Sequence, residues 1–426
     1  MLNTASLSAV RGARFSQRFV RPCYDSYCFS NFPATIEFLL TGEGQSTLPA
    51  DVFGDFPTRY DKVIFLFVDG FGWKFFERYA DGLPLLKHMK EQGVVSKLTS
   101  QFPSTTAAHV TCIHTGLEVG QSGVYEWQYY EPLVDEMIAP LLFSYAGDKT
   151  ARDTLKRSAV PGPAFFPQQT FYKLLNKRGI SSHIFQYYAY AASTYSDIVF
   201  RGARVHPYRM LQEPCFWLAD LCKARTTSPV YCFLYFDRID ARCHLYGPES
   251  RESEEAIRDF WETLERSFFR TVRGKNQKTL LMISADHGQT AVDPSTTFYL
   301  NQQIPGIERY FKTNARGSAL VPAGSPRDMF LHVKEAHIEE LMELLCQRLA
   351  GRAEVYRTEE LLAQGFFGAQ TPSATFLGRV GNVVLLPYPR ETIWWYEEGR
   401  FDMHFRGHHG GLTADEMEIP LLLLPI

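Results

Sequence analysis

Residues 61–68 read DKVIFLFV and run directly into Asp69 and Gly70. A stretch so rich in β-branched and aromatic residues, with no polar alternation, suits a strand buried on both faces. The pattern returns at 229–236 (PVYCFLYF, then Asp237), at 279–285 (TLLMISA, then Asp286) and at 418–424 (EIPLLLL). Between these runs lie segments with apolar residues at helical spacing, such as RESEEAIRDFWETLERSFFR over 251–270. Strands alternating with helices predict a mostly parallel central sheet covered by helices on both faces. Sites in such sheets gather beyond the carboxyl ends of the strands. Three of the four runs enter an aspartate at that end.

A chain of 426 residues exceeds one minimal core and suits a large α/β domain carrying an insertion. From about Thr296 to Pro389 the pattern changes: DMFLHV, AHIEELMELLCQRLAG and AEVYRTEELL read as strand, amphipathic helix and a further short element. The expected division is a catalytic core over 1–295 and 390–426, with a small α+β cap inserted at 296–389. Hydrophobic residues at 45% and charged residues at 21% exclude a disordered chain. A net charge of -3 gives no electrostatic case for a nucleic-acid partner.

Eight cysteines occur with no CxxC pair, and several sit in apolar stretches, as Cys232 and Cys346 do. Reduced, mostly buried thiols are the expectation, and with them a reducing, cytoplasmic location. The longest apolar run, PLLLLPI, is strand-length, so no membrane span is expected. The first 22 residues carry Arg11, Arg14, Arg18 and Arg21 with no acid, loosely like a transit peptide, but lack the apolar core of a secretory signal. They are expected to be structured chain.

Five stretches carry chemistry: VDGFG (68–72), FPSTTAAHVTCIHTG (102–116), DRIDARCHLYGP (237–248), SADHGQT (284–290) and GHHGGLTADEMEIP (407–420). Taken singly, each has an ordinary explanation; an Asp-Gly after a strand is usually a turn. Taken together, they supply carboxylates and imidazoles, both good ligands for a zinc-type cation. The set is too large for one catalytic ion and suits two ions clamping a transferring phosphoryl group. The nucleophile on this reading is Ser104, Thr105 or Thr106. FPSTT followed by AAHVTCIHTG reads as a loop entering a helix, with Thr106 in the first turn, where backbone N–H groups and the helix dipole favour anionic oxygens. Ser104 and Thr105 are expected as capping residues.

These stretches resemble the type I phosphodiesterase/nucleotide pyrophosphatase family, within the alkaline phosphatase superfamily. The resemblance follows their order from about residue 60 to the end and is weak in the insertion. It implies an alkaline-phosphatase-like core, a hydrolase of phosphodiester or pyrophosphate bonds in nucleotide-type substrates, and two divalent ions, Zn2+ before Mn2+. In the family the nucleophile stands ten residues before the glycine of the Thr-Gly pair; Gly116 then selects Thr106 and implies a phosphothreonine intermediate. One ion would be held by Asp69, Asp286 and His287 with the Thr106 oxygen, the other by Asp240, His244 and His409. Asp240 is preferred to Asp237 because the family's aspartate stands four residues before a histidine followed by Gly-Pro, here His244 and Gly247-Pro248. His409 is preferred to His408 because it directly precedes the glycine. Asp237 and His408 would then support the ligands.

Where the family has an asparagine three residues after the nucleophile, this chain has His109, a candidate for binding the phosphoryl oxygen. That departure bears on preference for diesters, leaving phosphomonoesterase or phosphonate monoester hydrolase of the same superfamily as alternatives. A catalytically inactive metal-binding scaffold is the reading from another class, opposed by the presence of every ligand. Phe71, Trp73, Tyr125 and Trp127 are expected to pack the core, with GVYEW (123–127) near enough to the nucleophile helix to line a pocket. The expected partner is a small phosphate ester.

Overall fold

The computed structural model describes residues 1–148, 152–274 and 278–426. Its centre is a seven-stranded sheet built from β1 (Lys62–Val68), β2 (Val94–Thr99), β3 (Ser181–Tyr187), β4 (Arg204–Tyr208), β5 (Val230–Phe236), β6 (Thr279–Ser284) and, at the C-terminus, β10 (Glu418–Pro425). The spatial order is β2-β10-β6-β1-β5-β3-β4. Every residue of β1, β5 and β6 is buried, as expected for central strands covered on both faces. β1 pairs in parallel with β5 and β6, and β3 in parallel with β5 and β4.

The C-terminal strand departs from a purely parallel reading. β10 runs antiparallel to both β6 and β2. An apolar run carries no sign of its direction, so EIPLLLL alone could not reveal this. The consequence is functional: the N-terminal end of β10 lies at the carboxyl edge of its neighbours. The loop that precedes it, carrying His408 and His409, is therefore delivered to the edge where Asp69, Asp237 and Asp286 emerge.

Three helices matter most for the site. α1 (Thr106–Thr115) follows the 102–105 loop, α2 (Arg238–Tyr246) follows β5, and α3 (Arg251–Leu264) packs on α2. The helix expected over 251–270 widens into a π-turn at Glu265–Phe269 before a last turn at Arg270–Val272. Within 296–389, strands β7 (Met329–Leu331), β8 (Ala353–Arg357) and β9 (Val383–Pro387) form an antiparallel sheet in the order β7-β9-β8, accompanied by α4 (Ile338–Arg348). No helix among the described residues is long and apolar enough to cross a membrane.

None of the eight cysteines, all among the described residues, is joined in a disulfide. Cys232 is buried as expected, but Cys346 is exposed. It falls on the outer face of α4, whose buried positions are Ile338, Leu341 and Leu345. The apolar neighbours that pointed to burial belong to the opposite face of that amphipathic helix.

Candidate active site

Asp69 leaves β1 with its backbone N–H donated to Phe236 O at the end of β5, 2.9 Å away. Gly70 then turns at φ +72°, a conformation natural to glycine, and a Cβ there would lie 3.3 Å from Asp240 Oδ1. The turn aims the Gly70 N–H at Asp286 Oδ1 (3.1 Å), which also accepts the His287 N–H (3.0 Å). Asp286 is fully buried, yet its other oxygen, Oδ2, has no hydrogen-bond partner. His287 Nδ1 donates to Gly288 O at 3.0 Å, which leaves Nε2 free. That nitrogen lies 3.3 Å from Asp69 Oδ1, 3.2 Å from Asp286 Oδ2 and 3.2 Å from Thr106 Oγ1.

Thr106 is the first residue of α1, and its hydroxyl is 3.4 Å from Asp69 Oδ2. Of the three hydroxyls in the loop it is the one placed among the ligands. Ser104 is committed elsewhere: its hydroxyl donates to Gly411 O (2.7 Å) and accepts the Gly410 N–H (3.2 Å), clamping the two loops together. Thr105 occupies the N-cap position of α1 but makes no side-chain capping bond, contrary to the capping expectation.

A second group assembles from α2 and the loop before β10. Asp240 and His244, four residues apart on one helix face, bring Oδ2 and Nε2 to 3.4 Å. His409 Nε2 lies 3.2 Å from His244 Nε2 and 3.6 Å from Asp240 Oδ1. Both rings are oriented from behind, His244 Nδ1 by Gly407 O (2.8 Å) and His409 Nδ1 by Ser104 O (2.9 Å). With each Nδ1–H donated to a carbonyl, the two Nε2 lone pairs face each other, an arrangement that a cation between them relieves. Two triads of donor atoms result, each within 4.8 Å of one another: Asp240, His244 and His409, and Asp69, Asp240 and His287.

The electrostatics point the same way. Burial, with the Asp286 and Asp240 carboxylates beside it, pushes Asp69 well above the usual carboxylate range. Burial also opposes charge on Asp286 and His287, but their mutual attraction wins, lowering Asp286 and raising His287. Burial and the neighbouring imidazoles, His287 first, hold His409 well below the usual histidine range. A cluster of carboxylates that water no longer solvates is stabilised by divalent cations, and the Asp/His donor set fits zinc-type ions.

His109 does not reach the cluster's open side. Its Nδ1 donates to Thr105 O at 2.7 Å, and its Nε2 accepts the Gln101 N–H and lies 2.9 Å from Ser100 Oγ, each contact buried. Burial lowers its pKa to about 4, so it is neutral at ordinary pH. α1 is buried along its length after Thr106, and His109, its fourth residue, meets protein on both ring nitrogens rather than the cavity. Ser100, beside it, donates to Asp286 O at 2.6 Å, so His109 braces the strand end that carries Asp286. Asp237 and His408 line the cavity but belong to neither triad.

Several contributors escaped the sequence reading. Tyr235 donates its hydroxyl to Asp69 Oδ2. Gln289 Nε2 donates to Asp240 Oδ1 at 2.5 Å. Arg327, fully buried, forms a two-pronged ion pair with Glu416 at 2.9 Å and 2.9 Å, while Glu416 accepts the Gly411 N–H and so holds the loop of His409. Glu126 of GVYEW is buried yet lines the cavity beside Thr105 and Thr106. That cavity is about 570 Å³, and it extends from the cluster past Tyr145, Tyr190, Trp394 and Phe405. Phe71, Trp73 and Tyr125 are core residues, whereas Trp127 is 45% exposed at the cavity wall.

A sequence model of the type I phosphodiesterase / nucleotide pyrophosphatase family matches residues 63–412. No curated protein matches the chain in sequence. Among solved structures, murine ectonucleotide pyrophosphatase/phosphodiesterase 5 is similar with a TM-score of 0.61 at 17% identity, covering 84% of this chain and 87% of its own. The human protein of that name gives a TM-score of 0.60 at 17% identity, covering 85% of this chain and 87% of its own. An inactive variant of the murine protein in complex with AMP gives a TM-score of 0.60 at 17% identity, with coverage of 84% and 87%. At this identity the likeness establishes the fold.

Proposed function

We propose that this chain, which belongs to the type I phosphodiesterase / nucleotide pyrophosphatase family, hydrolyses phosphodiester or pyrophosphate bonds through Thr106 at a two-ion site. The observation that carries the reading is the convergence of Thr106 Oγ1 with His287 Nε2 at 3.2 Å, inside a cluster whose buried Asp286 Oδ2 has His287 Nε2, also at 3.2 Å, as its charge partner and accepts no hydrogen bond. Asp69, Asp286, His287 and Thr106 would hold one ion, and Asp240, His244 and His409 the other. Zn2+ suits this donor set best, with Mn2+ the next choice. When bound, the ions supply Lewis acidity and charge neutralisation for a phosphoryl group in transfer.

The protein's own part is positional. A threonine hydroxyl is a weak nucleophile and must give up its proton to attack. Thr106 sits where the N-terminal dipole of α1 stabilises the resulting oxyanion. The attack forms a phosphothreonine and releases the first alcohol or phosphate; hydrolysis then restores the hydroxyl, and two inversions give net retention at phosphorus. The AMP complex of the murine neighbour supports nucleotide-type substrates. We read residues 296–389 as a cap that closes the loop side of the site, a reading supported by its separate antiparallel sheet and its Arg327–Glu416 link to the His409 loop. Eight cysteines without a disulfide among them support a reducing compartment. The direct test is hydrolysis of bis-p-nitrophenyl phosphate by the zinc-loaded protein, with loss on chelation and return on adding zinc; a metal-loaded protein that leaves the diester intact removes the reading.

A further inference from the structure

Glu126 is an acid of the cavity wall near the nucleophile that neither triad uses, and among the described residues it has no Lys or Arg paired to it. Its residue surface is 0% exposed, yet it borders the same space as Asp69, Thr105, Thr106 and His409. One carboxylate oxygen, Oε2, accepts the Trp127 N–H. The other, Oε1, is buried without a hydrogen-bond partner. Leaving a buried carboxylate oxygen unpaired is costly, and such an atom beside a reaction centre is ordinarily matched by something the site takes in. The wall behind it holds a second acid: Asp328 is buried, its Oδ2 likewise has no hydrogen-bond partner, and burial with Glu126 beside it pushes its carboxyl well above the usual range. Among the described residues, Lys or Arg side chains border the cavity at Arg152 and Arg400 alone. Arg152 lies over the Tyr190 ring, and Arg400 is held by Glu397 and Ala146 O.

We propose that Glu126 is a specificity residue that selects singly charged phosphodiesters over doubly charged phosphate monoesters, a reading that rests on the hydrolase function above. A second full negative charge on phosphorus would face the Glu126 carboxylate across a poorly solvated space, where repulsion is strong. A diester presents an esterified oxygen in that place and escapes it. Burial raises Glu126 to about 7, with the Trp127 amide and Thr105 hydroxyl pulling it down, so it is ionised in mildly alkaline solution. Nothing in the family resemblance singled this residue out; the signal was one acid inside GVYEW, an otherwise apolar stretch.

The test compares kcat/KM for bis-p-nitrophenyl phosphate and p-nitrophenyl phosphate at about pH 8, where a monoester is doubly charged. Zinc-loaded wild type, Glu126→Gln and Glu126→Asp are measured, with metal content checked on each. Glu126→Gln is expected to raise the monoester value about ten-fold while the diester value stays within about three-fold. Glu126→Asp, which keeps the charge but withdraws it, should move the ratio the same way by less, and it serves alone if the first variant does not fold. An unchanged ratio, or a parallel fall for both substrates with two ions still bound, overturns the proposal. Should wild type turn over neither ester, the hydrolase reading fails by itself. Calorimetry with inorganic phosphate and dimethyl phosphate then decides the proposal: Glu126→Gln must tighten phosphate alone, and equal or absent effects overturn it.

Discussion

Asp69, Asp286 and His287 have side chains 2%, 0% and 0% exposed, whereas Asp240, His244 and His409 keep 14%, 16% and 8%. The first trio is fixed by strand ends of the central sheet, with Gly70 and His287 amides pinning one Asp286 oxygen. The second is gathered from α2 and a loop some 160 residues later, each imidazole steered by a carbonyl behind it. One half is thus a rigid, dry socket built with the core; the other is an open jaw facing the cavity. On the proposed function the difference would divide the work: the socket would fix the nucleophile's ion, and the jaw would admit substrate and meet the departing oxygen.

The largest predicted effect comes from breaking the socket. Asp286→Asn should lower turnover at least about a thousand-fold and leave the socket ion unbound, because several kcal/mol of transition-state stabilisation go with it. Metal analysis after dialysis checks this, and two ions retained at wild-type affinity would count against the assignment. Opening the jaw should cost less. His244→Ala is expected to keep one ion per chain and to lose about a hundred-fold in turnover, and graded chelation of wild type should release the jaw ion first.

Proton release sharpens the comparison. In the metal-free protein Asp69 and His287 are both raised, so each holds its proton more tightly than usual against an incoming ion. Socket affinity should therefore rise with pH. His409 is depressed by burial and neighbouring imidazoles, so its nitrogen is already free and jaw affinity should change little above about pH 6.5. Calorimetry in buffers of different ionisation enthalpy measures the protons released at each step. The smallest effect is reserved for His109→Ala, which removes a buried brace without touching the cavity: a loss of about 1–3 kcal/mol in stability with KM nearly unchanged. A large rise in KM at wild-type stability would restore it as a substrate contact.

The socket was legible in the sequence because two-sided burial writes itself as apolar runs, and the aspartates stand at their ends. The jaw was legible only through spacing, four residues along a helix for Asp240 and His244, and adjacency to glycine for His409. What stayed hidden shares one cause, dependence on which way a side chain faces. His109 sits on a helix buried on all sides, so its position could not say whether it met substrate or core. Cys346 misled because the apolar residues around it serve the other face of α4. The direction of β10, which delivers His409, has no local signature. Tyr235, Gln289 and Arg327 act through contacts made across long stretches of chain, which no local pattern encodes.

The central claim is that Thr106 is the nucleophile of a preassembled two-ion site. Single-turnover quench of the zinc-loaded protein with a labelled diester, followed by peptide mapping, tests it most directly, with Thr106→Ala alongside. The expected result is transient label on Thr106 in wild type, and no label or turnover in Thr106→Ala although two ions remain bound. Near-normal turnover by Thr106→Ala, or label on Ser104 or Thr105, would contradict it.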